Sequence, residues 1–251
     1  MPDDPSPTAV HLPASPPEGT VLTINAHPDD VDFGMAGTVA AWTSAGARVV
    51  HCVVTDGDAG GFDPSVSRPN MAKLRQREQR AAAAAVGVSE VIFLGYPDGR
   101  VTPSLELRRD LSRVLRTVRP TCVLTQSPVR NFARLFASHP DHLAVGEATL
   151  CAVYPDARNQ FAHPELLAEG LGEHAVDEVW IAGGPETNTW VDVSGTFADK
   201  LAALACHVSQ VSHHDAAGFE QRLRGWAEGQ AALAGWPSGS LAEGFQRIVT
   251  R

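Results

Sequence analysis

The chain has 251 residues, 43 % of them apolar and 20 % charged, with a formal net charge of −9. That is a soluble globular balance with enough length for a full sheet-and-helix core. An acidic total with no Lys/Arg run argues against nucleic acid or an anionic membrane surface as partner.

Cys52, Cys122, Cys151 and Cys206 are scattered with no C-x-x-C spacing, which predicts buried free thiols instead of a disulfide framework or a thiolate metal site. No signal-peptide pattern opens the chain, and no apolar run approaches the ~18 residues of a membrane span, so a cytoplasmic protein is expected. Met1–Gly19, rich in Pro, Ser and Asp, predicts a disordered tail ahead of one domain over 20–251.

In chain order, Val21–Asn25 is an apolar run that predicts a buried first strand. Met35–Ala45 predicts a helix closed by Gly46 at C′, and Val49–Thr55 a β-rich second strand. Asp56–Asn70 is a Gly- and Pro-bearing loop, long enough to suggest function. Lys73–Val86 predicts an Ala-rich helix stopped by Gly87. Val91–Leu94 is a short third strand, followed by the turn G-Y-P-D-G at 95–99.

Leu105–Val118 sets Leu105, Leu111, Val114, Leu115 and Val118 on one helical face, and Thr121–Thr125 follows as a fourth strand. Beyond residue 155 the pattern weakens. Val179–Ala182 and Trp190–Val193 read as late strands, Phe197–Ala205 and Phe219–Ala234 as helices, and Ala242–Val249 as a last short element. The alternation predicts an α/β fold: a Rossmann-like, doubly wound, mostly parallel sheet with helices on both faces.

Two stretches carry more chemistry than folding requires. Ile24–Gly37 reads I-N-A-H-P-D-D-V-D-F-G-M-A-G, putting His27, Asp29 and Asp30 at the carboxyl end of the first strand. Helix capping accounts for one Asp, but not for an imidazole beside two carboxylates. A divalent metal accounts for all three, because zinc takes neutral imidazole and carboxylate ligands and leaves a position open for water. The second stretch, S-H-P-D-H over Ser138–His142, follows the fourth strand. Ser138 with Asp141 is an S-x-x-D capping signal, yet the cap gives no reason for His139 and His142. With strands ordered 3-2-1-4-5, the first and fourth are neighbours at the topological switch point, where ligands bind outside the carboxyl ends. The two motifs would then face one crevice.

These residues resemble the LmbE/PIG-L family of zinc-dependent N-acetylglucosaminyl deacetylases, which also includes the deacetylases of mycothiol and bacillithiol biosynthesis and mycothiol conjugate amidase. The resemblance lies in A-H-P-D-D with F-G-x-A-G-T and in the later H-P-D-H. It covers most of residues 20–155, with weaker echoes near Lys200–Gln210 and Glu243–Phe245. Val31-Asp32 departs from the Glu that many members carry there.

The resemblance implies His27, Asp30 and His142 as ligands of zinc or another divalent ion such as iron(II). It implies Asp29 as general base on the water activated there, His139 as acid and oxyanion stabiliser, and Asp141 as the group that orients it. Arg75, in R-x-x-E with Glu78, and Asp98, in the Y-P-D-G turn, match sugar-binding positions; read alone, they are equally a solvated helix charge and a turn former. A protonated His139 held by Asp141 would aim a donor at the developing oxyanion, commonly worth about 3 kcal/mol.

The expected activity is removal of an acyl group, normally acetyl, from an amino sugar or a sugar-bearing small molecule, by a monomer or a homo-oligomer. Three alternatives stand beside it: an amidase on thiol-sugar conjugates, a non-catalytic nucleotide-binding module, and a metal-dependent phosphoesterase. The module lacks its G-x-G-x-x-G after the first strand, and the phosphoesterase lacks extra carboxylates and a basic phosphate clamp. His207, His213 and His214 are expected at the surface or in a secondary pocket.

Overall fold

Thr20–Asn25 (β2) is buried along nearly its whole length, and the rest of the sheet assembles on its two edges. The computed structural model of the chain describes residues 10–12 and 15–250. β2 pairs in parallel with Arg48–Thr55 (β3) on one side and Cys122–Gln126 (β5) on the other. Glu90–Tyr96 (β4) continues beyond β3, and Glu178–Ala182 (β6) beyond β5. The first five predicted strands therefore stand in the order 3-2-1-4-5, all parallel.

Past β6 the sheet changes character. Ala242–Val249 (β8) pairs antiparallel with both β6 and Thr189–Asp192 (β7), and Val10–Leu12 (β1) adds a parallel edge strand to β7. The eight strands run β1-β7-β8-β6-β5-β2-β3-β4. Residues 10–12, expected in a disordered tail, thus supply an edge, because the free side of β7 offers unpaired backbone groups to any extended segment. Of the rest of that stretch, residues 1–9 and 13–14 lie outside the described residues, and 15–19 run without helix or strand into β2.

Asp30–Ser44 (α1), Arg68–Ala85 (α2), Phe197–Ala205 (α6) and Ala216–Leu233 (α8) contribute to the core on one face, with Trp42, Leu204 and Phe245 among its fully buried side chains. Leu105–Val118 (α3) and Pro140–Val153 (α4) pack on the other, around Leu107, Leu111, Leu115 and Val145. Short helices at Pro164–Ala168 (α5) and Val208–Val211 (α7) complete the set.

Several boundaries differ from expectation for local reasons. α1 begins at Asp30, five residues early, so the second carboxylate of the motif lies in its first turn. α2 begins at Arg68 because Pro69 is preorganised for a first turn, shortening the preceding loop. On α3, Leu105 is 66 % exposed and Leu107 takes the inner place. All four cysteines are free, but only Cys52 and Cys122 are fully buried; Cys151 and Cys206 are half-buried. Among the described residues no helix is long and apolar enough to cross a membrane.

Two contacts set the crevice. Ile24 and Thr125 are paired, so β2 and β5 end side by side, and the Ala26 N–H donates to Gln126 Oε1 at 2.9 Å. α4 approaches the end of β5 so closely that a Cβ on Gly146 would collide with the backbone of Gln126 and Ser127. That approach carries His142 over the mouth of β2.

Candidate metal centre and active site

The first loop leaves β2 through His27 and Pro28 and turns into α1 at Asp29, a non-glycine residue at φ 92°, ψ −25°. A left-handed aspartate costs free energy that its surroundings must offset. Here the Asp29 N–H donates to Gln79 Oε1 at 2.7 Å, its carbonyl accepts from Asp32 and Phe33, and its carboxylate accepts from Arg75 Nη2 at 3.0 Å. The second loop reaches α4 through His139, whose Nδ1 accepts the Asp141 N–H at 3.2 Å as the helix cap. Ser138, the expected cap, instead accepts the Asn131 N–H at 2.8 Å, so its hydroxyl is already engaged in shaping the loop.

Between the loops, three ligand-type groups converge. His27 Nδ1 lies 3.2 Å from His142 Nε2. Asp30 Oδ2 lies 3.3 Å from His27 Nδ1, and Asp30 Oδ1 lies 3.1 Å from His142 Nε2. A tetrahedral ion with bonds of about 2.0–2.1 Å holds its ligand atoms about 3.3 Å apart. The two ring nitrogens stand at about that separation, and Asp30 meets each ring through a different oxygen, either of which would serve as the third ligand. Two imidazoles and one carboxylate suit zinc, and the same donor set holds iron(II) in facial triads.

The far side of His27 is equally built. Its Nε2 faces Asp98 Oδ1 and Asp141 Oδ2, each at 3.1 Å. A ligating histidine commonly donates its second ring N–H to a carboxylate, which fixes its orientation and raises its basicity. Burial alone would lower the His27 pKa, but Asp30, Asp141 and Asp98 together push it up to about 12. The pocket thus calls for positive charge at this point. Burial likewise opposes ionised Asp30, yet His142 and His27 hold its carboxyl well below the usual range.

The chemical groups around the triad have distinct states. Burial raises the Asp29 carboxyl to about 6 against the opposing pull of Arg75, placing it close to neutrality. Burial and the neighbouring His27 and His142 rings lower the His139 pKa, so this ring is neutral at pH 7. Because Nδ1 accepts from a backbone amide, the single proton sits on Nε2. His139 lies edge-on to His27 with ring centroids 4.9 Å apart.

The structure brings His27, Asp29, Asp30, His139, Asp141 and His142 into one cluster, and it revises three expected tasks. The Asp141 carboxylate does not hold the His139 ring: Oδ2 accepts the Gly99 N–H at 2.7 Å and faces His27, and Oδ1 accepts the Val101 N–H at 3.1 Å. Asp98 sits against His27, inside the centre rather than out in a sugar site. Arg75 is 3 % exposed, and its guanidinium donates to Pro28 O at 2.5 Å, Gly57 O at 3.1 Å and Asp29. It is neither a solvated charge nor a free sugar ligand, because the loop after β3 folds over it; a Cβ on Gly57 would strike the guanidinium.

His207, expected near the surface, is fully buried and lies with Nε2 2.8 Å from Asp32 Oδ2, which also accepts from Gln79 Nε2 at 3.0 Å. Gln79 was missed; its signal was a spacing of four from Arg75, which puts both side chains on one stripe of α2. Glu78, the other half of R-x-x-E, accepts from Ser209 N and Oγ at 2.8 and 2.6 Å.

Comparison with known proteins matches residues 22–153 to the family model described as PIG-L, GlcNAc-PI de-N-acetylase. The diacetylchitobiose deacetylase of Thermococcus kodakarensis is 33 % identical over 190 residues, covering 76 % of this chain and 69 % of that protein. A probable N-acetyl-alpha-D-glucosaminyl L-malate deacetylase of Bacillus anthracis is 29 % identical over 199 residues, covering 77 % of this chain and 82 % of that one. Among solved structures, N,N′-diacetylchitobiose deacetylase from Pyrococcus horikoshii, complexed with its inhibitor MPG, superposes with a TM-score of 0.83 at 29 % identity, covering 92 % of this chain and 84 % of that one.

Proposed function

Because the chain belongs to the PIG-L family of N-acetyl-sugar deacetylases, we propose that it hydrolyses the acetamide of an N-acetylated amino sugar with a divalent metal held by His27, Asp30 and His142. The observation that carries this is the 3.1–3.3 Å spacing of the three ligand-type groups at the joined ends of β2 and β5. We read zinc as the ion and, from four free thiols, a reducing compartment such as the cytoplasm.

When bound, such an ion makes hydroxide available near pH 7 and polarises the amide carbonyl. The chain's own residues do the remainder. Asp29, held by Arg75 and Gln79, accepts the proton of the attacking water on its carboxylate. His139 donates its Nε2–H to the developing oxyanion as a neutral imidazole, replacing the protonated ring expected from sequence. Collapse breaks the C–N bond, and Asp29 returns its proton to the leaving amine, giving acetate and the free amino sugar. Asp98 and Asp141 keep the His27 ring turned so that Nδ1 faces the ligand set.

The test is acetate release from N-acetylglucosamine and its β-1,4 disaccharide, before chelation, after it and after zinc is restored. Release lost on chelation and regained with zinc is expected; release that survives complete metal removal overturns the reading.

A further inference from the structure

Asp32 of α1 and His207, at the start of α7, are polar and fully buried. A carboxylate only accepts hydrogen bonds, so His207 Nε2, 2.8 Å from Asp32 Oδ2, donates to it. Gln79 Nε2 donates to the same oxygen at 3.0 Å. The other end of that amide, Gln79 Oε1, accepts the Asp29 N–H at 2.7 Å. A continuous line of hydrogen bonds thus runs from His207 through Asp32 and Gln79 to the backbone of the proposed base.

An amide side chain has a donor end and an acceptor end, and a half-turn exchanges them. Only one of the two orientations gives the Asp29 N–H an acceptor. The Asp32 carboxylate selects it, because an ionised acid has no hydrogen to offer a reversed amide. His207 in turn fixes where that carboxylate stands. Burying an ionised acid is costly, and apolar residues of similar volume are often as stable in its place. Stability alone therefore gives no reason for Asp32 and His207 in this part of the core. The orientation of Gln79 does.

The rest of the H-V-S-Q segment at 207–210 touches the remaining support of Asp29. Ser209 N and Oγ donate to Glu78, the neighbour of Gln79 on α2. A Cβ on Gly60 would strike the Arg75 guanidinium and press on Gln210 Oε1. Ser209 and Gln210 thus brace α2 and the loop after β3, whereas the His207 ring reaches Asp29 only through the hydrogen-bonded line.

We propose that His207 is a positioning residue for the reaction: through Asp32 it holds the Gln79 amide in the one orientation that keeps Asp29 in its left-handed turn. This rests on the deacetylase reading in taking Asp29 as the base.

The test follows acetate release from the β-1,4 disaccharide of N-acetylglucosamine by the zinc-loaded enzyme, with bound metal and hydrogen exchange at the Asp29 amide. His207→Leu is expected to lower kcat about tenfold, with KM within about threefold and metal content unchanged. Exchange at the Asp29 amide speeds about tenfold or more. His207→Gln, whose amide can donate to Asp32, regains most of both. D32A/H207L removes the buried acid together with its donor; it shows the same loss and decides the matter if His207→Leu does not fold. Ser209→Ala loses stability but keeps kcat within about twofold. Because His207 acts through Gln79, Q79L/H207L is no slower than Gln79→Leu alone. Native kcat in folded His207→Leu or D32A/H207L, losses that multiply in Q79L/H207L, or an equal kcat loss in Ser209→Ala would overturn the proposal. If the native protein releases no acetate, yet Asp29 exchange speeds in His207→Leu and recovers in His207→Gln, the positioning stands and the deacetylase reading fails.

Discussion

Gln79→Leu isolates what holds the proposed base in place. Gln79 is fully buried; its Oε1 accepts the Asp29 N–H at 2.7 Å and its Nε2 donates to Asp32 Oδ2 at 3.0 Å. Leucine keeps the volume and removes both bonds. A buried N–H left without an acceptor costs about 1–3 kcal/mol. A non-glycine residue in the left-handed region costs a comparable ~1–3 kcal/mol, which the native bond offsets. With that bond gone, the balance at φ 92° tips toward ordinary backbone, and the Asp29 carboxylate swings away from the ligand set. Displacement worth about 1.4–2.8 kcal/mol in the transition state lowers kcat about 10–100-fold. His27, Asp30 and His142 are untouched, so metal content stays at the native level and KM moves by less than about threefold. Steady-state acetate release, metal analysis and hydrogen exchange at the Asp29 amide read the three parts separately. A native kcat with a fast-exchanging Asp29 amide refutes the reasoning, and so does loss of metal in step with activity.

Further outcomes follow from the same geometry. Asp98→Asn removes one of the two carboxylates on His27 Nε2 and is expected to weaken metal affinity about 10-fold, the low end for such partners because Asp141 remains; competition with a chelator reads it. Arg75→Met leaves the Pro28 and Gly57 carbonyls and the Asp29 carboxylate without their buried donor, and chemical denaturation is expected to show a loss of about 3–5 kcal/mol. His51, fully buried, has its pKa lowered by burial from 6.5 to about 4. The unfolded chain therefore binds more protons between those values, and stability falls by about 3 kcal/mol as pH drops through that window. His51→Gln, whose amide can meet the Thr23 hydroxyl that lies 2.8 Å from His51 Nδ1, is expected to flatten that dependence; an unchanged slope assigns it to other groups.

The central strands were legible because apolar, β-branched runs bounded by Gly and Pro have few other uses, and the switch-point rule then brought two distant motifs together. β7 reads as a strand from the sequence and the β8 segment only as a short element, and the insertion of an antiparallel β8 between β6 and β7 carries no periodic signal. The ligand-type residues stood out because imidazoles beside carboxylates have no capping rationale. Their partners did not. Ser138 showed a good capping pattern, yet its hydroxyl is taken by Asn131 and the cap moves one residue on. Asp141 lies two residues from His139, but the amides of Gly99 and Val101, from the turn after β4, turn its carboxylate toward His27. Arg75 looked like one charge among several on α2 until the loop from Gly57 closed over it. His207 meets Asp32 across 175 residues, a contact no local pattern announces.

The most direct measurement is bound metal per chain, taken with acetate release, for the native protein, His142→Ala and Asp29→Ala. One ion per native chain is expected, with both metal and turnover lost in His142→Ala, and metal kept but turnover nearly abolished in Asp29→Ala. Native stoichiometry in His142→Ala, or equal metal loss in the two variants, would contradict the assignment of an ion to His27, Asp30 and His142 and of the base to Asp29.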